Sequence, residues 1–327
     1  MMKSTLSSGA MMAMALALLA PWASAHAQAY PAKPIQLVIP FPPGGATDIV
    51  GRLVGKKLGE RLGQPVVIEN RAGAGTIIGA AFVAKAPADG YTLLISSGST
   101  FTVNPALNAK LPYDPIKSFE PIGQVARVPL LVLAHPGVPV NDLKQLVAAV
   151  QRTPDKYVFG SFGNGTTAHF TGELLWGAAG IKLTHVAYKG SAPAMNDLLA
   201  GQIPFTVDTV AAALPHLNAG KVKAIAATGA RRATQLPNVP TVAESGFPGF
   251  SADSWLAIAA PKGLAADVRA RLQKALADTM KDAEVRDKLI ASGLEPAYEP
   301  AAAVAARIED ELPRMRAIAL RANIRAE

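Results

Sequence analysis

A chain of 327 residues with 32 Lys and Arg against 24 Asp and Glu carries a formal charge of +8 and no cysteine. The missing cysteines exclude disulfides, thiol catalysis and cysteine metal sites, and a chain of this length can bury a core without them. Basic residues are scattered and aromatics make up only 6%, which argues against a nucleic-acid partner and leaves a mild bias toward small anions.

From the start of the chain, Lys3 and the apolar run Met11 to Ala20 precede Ala25-His26-Ala27. This reads as a signal peptide over residues 1–27, cleaved after Ala27 with Ala25 as the alternative site, because the apolar run is too short to span a bilayer. Export to the periplasm is expected. The remaining chain, about 300 residues, exceeds the usual size of one core and suggests two lobes.

Apolar β-rich runs then alternate with helix-like segments. The runs are IQLVIP (35–40), VVIEN (66–70), TLLIS (92–96), YVFGS (157–161), THVAY (184–188), IPFTVD (203–208) and VKAIAAT (222–228). The alternation predicts an α/β fold with largely parallel sheets covered on both faces. Two segments break the rhythm, Val128 to Val140 and Trp255 to Leu264. Each is an apolar strand, a Pro/Gly turn and a helix start near an acid (Asp142, Asp267), and we read them as crossings between lobes. The expected division is residues 28–125 and 255–327 in one lobe and 126–254 in the other. Pro313 is expected to bend or interrupt the last helix unless it begins one.

Three turns repeat one device, an apolar strand, a glycine-rich loop and a helix start: Phe41 to Asp48 (FPPGGATD), Arg71 to Thr76 (RAGAGT) and Phe162 to His169 (FGNGTTAH). Prolines 42 and 43 stop the strand, Gly44 and Gly45 open the backbone, and Asp48 or Thr47 is expected to cap the helix. Unpaired N–H groups and the positive dipole end make a helix start a site for a carboxylate or phosphate. By position, the first two turns belong to one lobe and the third to the other.

Other chemistries find little support. No Gly-Lys-Ser/Thr marks a P-loop, no histidine pair has HExxH spacing and no GxSxG elbow appears. His169, on the first turn of its helix, suits packing or capping better than general-base work. Asp208 ends a strand, where it either caps the helix starting at Thr209 or reaches a ligand. Tyr188-Lys189-Gly190 ends another strand on the same edge, and Ser97, just beyond TLLIS, joins the candidates. Neither a metal nor a cofactor is expected.

The runs YPAKPIQLVIPFPPGGATD, LGQPVVIENRAGAGTIIG, ADGYTLL, LPYDPIKSFEPIG, GNGTTAHF, HVAYKG and LPNVPTVAESGFPGF, with the closing ELPRMRAI, resemble the Bug family over essentially the whole exported chain. These are extracytoplasmic receptors of tripartite tricarboxylate transporters. The resemblance implies a two-lobed Venus-flytrap fold with two strand crossovers, no catalysis, and capture of a small carboxylate for delivery to integral membrane subunits. It also implies ligand contacts at Gly45, Ala46 and Asp48 and at Thr166, Thr167 and His169, with looser matches at Tyr188 and Asp208. Thr76 departs from the glycine usual in that family, and Met315 stands where a tryptophan is common. A monomer is expected. A sensor domain for the same ligands and a periplasmic hydrolase using His169 with a serine are the rival readings.

Overall fold

The computed structural model describes residues 30–154, 156–321 and 323–324; the expected signal peptide lies outside them. The first half-chain runs β1 (Ile35–Ile39), α1 (Ala46–Leu62), β2 (Val66–Asn70), α2 (Ile77–Ala84), β3 (Thr92–Ser97), α3 (Asn104–Leu107) and β4 (Phe119–Val128). Then come β5 (Leu130–Ala134), α4 (Leu143–Arg152), β6 (Val158–Ser161), α5 (Thr167–Ala178), β7 (Thr184–Ala187), α6 (Ser191–Leu199), β8 (Phe205–Thr209), α7 (Val210–Asn218) and β9 (Lys223–Ala227). The chain returns through β10 (Ser254–Pro261), α8 (Ala266–Met280), α9 (Ala283–Ala291), β11 (Glu295–Pro300) and α10 (Ala301–Arg321).

These strands form two sheets, ordered β11-β4-β10-β3-β1-β2 and β7-β6-β8-β5-β9, one per lobe. Each sheet is covered on both faces. In the first, Leu37 and Ile39 join Val54 of α1 and Leu276 of α8, while Val38 and Leu94 join Val83 of α2 and Ile308 of α10. In the second, Val132 and Val207 pack toward α4 and α5, and Leu131 and Leu133 toward α6 and α7. The period of two along each strand explains the division.

The sheets are mixed rather than largely parallel. β1 pairs in parallel with β2 and β3, and β6 with β7 and β8, whereas β10 and β5 pair antiparallel with their neighbours. The reason is the double connection between lobes. β1, β3, β6 and β8 end at the cleft, but β5 and β10 enter their sheets from it and must run the other way. The crossing itself is confined to Pro129 and to residues 228–253, so the strands of the two atypical segments each stay within one sheet. Pro129 has no N–H to continue a ladder. β11 (EPAYEP), with two Pro and two Glu in six residues, and β4, interrupted by Pro121 and Gly123, show no regular apolar alternation that marks a strand in sequence.

α10 runs through Pro313 without a break. Glu309 and Pro313 are both exposed, so the carbonyl left without its donor faces water. Met315 packs beside Val103 of the first lobe, Phe170 of the second and Ala319 of α10, a small core shared by both lobes.

Candidate functional site

The first turn is built around Asp48. Gly44 takes φ +90°, the left-handed region that glycine enters freely, and Gly45 is the N-cap of α1 without any side-chain bond. Neither Thr47 nor Asp48 caps the helix as expected, because Asp48 lies one turn in and reaches back. Its Oδ2 accepts the Gly44 N–H and Arg52 Nε, both at 3.0 Å, and its Oδ1 accepts Asn70 Nδ2 at 3.0 Å. Burial would raise this carboxyl, but the hydrogen bonds from Arg52, Gly44 and Asn70 prevail and hold it below its ordinary value. Asp48 therefore shapes the turn; its own N–H donates to Gly45 O at 3.0 Å, and the N–H groups ahead of it at the start of α1 have no partner within the helix.

The second-lobe turn is equally tied down. Thr166 caps α5: its Oγ1 accepts His169 N–H at 3.5 Å and donates to Gly163 O at 2.6 Å. His169 Nδ1 accepts the Gly165 N–H at 3.3 Å, and its ring stacks on His185 with centroids 4.1 Å apart. His185 Nε2 lies 2.7 Å from Ser161 Oγ. Burial pushes His169 down to about 4 and, with the neighbouring His169, pushes His185 down to about 3. Both rings are neutral near pH 7 and bring no charge to the cleft.

Between the lobes lies a cavity of about 30 Å³, lined among others by Gly45, Ala46, Thr47, Ser97, Thr167, Ser191, Thr209 and Ser254. Four helix starts meet there, those of α1, α5, α6 and α7. Phe41, Phe162, Val128 and Leu256 form its apolar wall, and among the described residues no charged side chain lines it. Strand register assembles it: Leu256 pairs with Ser97, Ser254 with Val128, and Leu130 with Thr209. The space suits a water or two. Beside it runs a groove of about 450 Å³ that shares Phe41, Pro42, Phe162 and Gly190 and adds Thr76, Thr166 and Tyr188. Thr76 adopts φ +93°, which explains why glycine is usual there. Its Oγ1 accepts Thr100 Oγ1–H at 2.7 Å and Asn104 Nδ2–H at 3.3 Å.

Of the residues singled out from sequence, Gly45, Ala46, Ser97 and Thr167 line the cavity and Thr76, Thr166 and Tyr188 line the groove, while Asp48, His169 and Asp208 stand behind the wall. The Tyr188 hydroxyl is committed to Asp197 at 2.7 Å. Asp208 Oδ1 accepts Ser191 Oγ–H at 2.8 Å and Thr209 N–H at 2.7 Å. Burial raises Asp208 to about 6 against the opposing pull of the Thr209 N–H, the Ser191 hydroxyl and the Thr209 side chain. Sequence reasoning missed Ser191, Ser254 and Phe41. Ser191 comes after THVAY-Lys189-Gly190, a fourth copy of the strand–glycine–helix device, whereas nothing local marks Ser254. Among the described residues, no group of three His, Cys, Asp or Glu could hold a metal, and no helix is long and apolar enough to cross a membrane.

Two α/β lobes with helix starts facing across a cleft define a two-lobed solute-binding protein. Residues 50–324 match the tripartite tricarboxylate transporter family receptor, and the chain belongs to that family. It is 37% identical to protein BugT of Bordetella pertussis over 293 residues, 89% of this chain and 90% of that one. A solved R. palustris structure with adipate is 34% identical with a TM-score of 0.87, covering 90% of this chain and 98% of that one. MatC from Rhodopseudomonas palustris with bound malate is 31% identical with a TM-score of 0.83, covering 88% and 99%.

Proposed function

We propose that this protein is an exported, monomeric periplasmic receptor that captures a small organic carboxylate between its lobes and hands it to membrane transporter subunits, without catalysis. One observation carries the reading: four helix starts and several hydroxyls meet on a cavity that no charged side chain among the described residues lines. Fixed N–H and O–H donors and helix dipoles stabilise an anion there without a paired cation. The adipate and malate held by its relatives are small carboxylates of the kind such a site suits.

A cavity of about 30 Å³ admits such a ligand only when the lobes part. The donors of both lobes then close on it, so the ligand favours the closed arrangement through its differential contacts. A thermal-shift panel of mono-, di- and tricarboxylates, acidic amino acids and aromatic acids tests this. At least one carboxylate should raise the melting temperature in a concentration-dependent way, unaffected by EDTA and with no product formed. A panel without any shift, or turnover of the ligand, overturns the proposal.

A further inference from the structure

The Asp208 carboxylate is completely buried, and its Oδ2 meets no partner. Burying a charge so incompletely satisfied is costly, so its placement behind the cavity wall calls for a reason. Its Oδ1 accepts Thr209 N–H and Ser191 Oγ–H, and both residues line the cavity. An ionised carboxylate can only accept. Ser191 must therefore spend its single proton on Asp208, and its oxygen has only lone pairs left to offer.

Two other cavity hydroxyls, those of Ser97 and Ser254, are set the opposite way. Ser97 Oγ accepts Ser99 N–H at 3.2 Å, and Ser254 Oγ accepts Thr167 Oγ1–H at 3.4 Å. Each keeps its own proton to donate. Ser191 Oγ lies against Gly45, where an added β-carbon would sit 3.8 Å from it, so this acceptor stands beside the start of α1. Thr167 Oγ1, whose proton goes to the neutral Ser254, is likewise left with lone pairs, but the Ser191 acceptor is the one backed by the negative charge of Asp208.

We infer that the ligand is a carboxylate bearing a hydroxyl or ammonium substituent, and that Ser191 Oγ, oriented by Asp208, is the acceptor that selects it. The inference rests on the carboxylate reading above. A plain carboxylate leaves the Ser191 lone pairs facing an apolar methylene. A hydroxylated or aminated one fills that position with a hydrogen bond, and an ammonium gains further from the Asp208 charge.

Calorimetry at pH 8 with two matched sets, succinate, L-malate and L-aspartate, then propionate, L-lactate and L-alanine, tests it. Within a set that binds, the hydroxyl or amino compound should be favoured over the plain acid by about tenfold, the worth of one good hydrogen bond. Ser191→Ala should bring the members of the set to within about twofold of one another. Asp208→Asn keeps an acceptor for Ser191 and removes the charge, so an amino acid should lose its advantage over the hydroxy acid. Should Ser191→Ala fail to fold, Ser191→Cys, a far weaker acceptor of similar size, replaces it. If plain and substituted acids bind alike, or their ratio survives the loss of Ser191, this inference falls and the carboxylate reading stands. If neither set binds, the inference falls, and the wider carboxylate panel decides the reading itself.

Discussion

Thr167 N–H of the second lobe donates to Ser99 Oγ of the first at 3.0 Å. The first N–H of α5 is thus satisfied across the cleft, by a bond that exists only while the lobes touch. Ser99 is fully buried, and its own N–H rests on Ser97 Oγ, so one short chain links the cavity wall to the contact between lobes.

Ser99→Ala removes that acceptor in the closed arrangement alone. Ligand affinity should fall by roughly 3- to 10-fold, the equivalent of about 0.5–1.5 kcal/mol for one hydrogen bond. Isothermal calorimetry on wild type and variant gives the comparison, and equal affinities would show that the bond contributes nothing to closure.

Gly75 and Gly165 meet the opposite lobe directly. A β-carbon at Gly75 would overlap the Asn164 carbonyl oxygen, and one at Gly165 would overlap Asn104 Oδ1. Gly75→Ala should therefore prop the lobes apart. Small-angle scattering with saturating ligand should give wild type the smaller radius of gyration, and the variant should bind more weakly by at least about tenfold. A variant that contracts and binds like wild type would refute the steric argument.

Asp208, raised to about 6 by burial, has a definite pH signature. Below the unfolded value of about 3.9 both states are protonated and there is no penalty. As pH rises toward 6 the unfolded carboxyl ionises first, so stability is lost across that window and stays lower above it. Asp208→Asn should remove this dependence, and its stability relative to wild type should climb by a few kcal/mol between about pH 4 and 6. Urea unfolding at several pH values measures the difference; parallel curves would exclude the assignment.

Asp48 acts in the opposite sense. Burial opposes its charge, but Arg52, Gly44 and Asn70 lower its pKa in the folded state. Its contribution is present above the unfolded value of about 3.9 and lost as pH falls through the lower folded value. Asp48→Ala should cost about 1–3 kcal/mol at pH 7 through the unsatisfied Gly44 N–H and Asn70 amide, and much less near pH 3. A loss independent of pH would point to packing instead.

The fourth turn marks the limit of what the sequence makes legible. Gly190-Ser191 repeats the strand–glycine–helix pattern, but with a single glycine it reads only as the end of a strand beside the longer glycine runs. Asp48 and His169 belong to their turns by position, yet which atoms they meet is not written locally. Asp48 turns back to Gly44 and Asn70, and His169 to Gly165 and His185.

The sequence by itself determined the punctuation of this protein: a strand ended ahead of the proline-rich run 40–43, a glycine opening the backbone at 44, and a helix beginning soon after each glycine-rich turn. Those features arise from φ/ψ preference and the side-chain period, which act over a few residues. Tertiary structure decided which helix starts share a cavity, that β5 and β10 enter their sheets antiparallel, and that Ser254 meets Thr167. These depend on pairing between segments far apart in the chain, where register and burial are fixed only when both lobes are formed. The proton of Ser191 belongs to the same class, since Asp208 reaches it only through the packing of β8 against the start of α6.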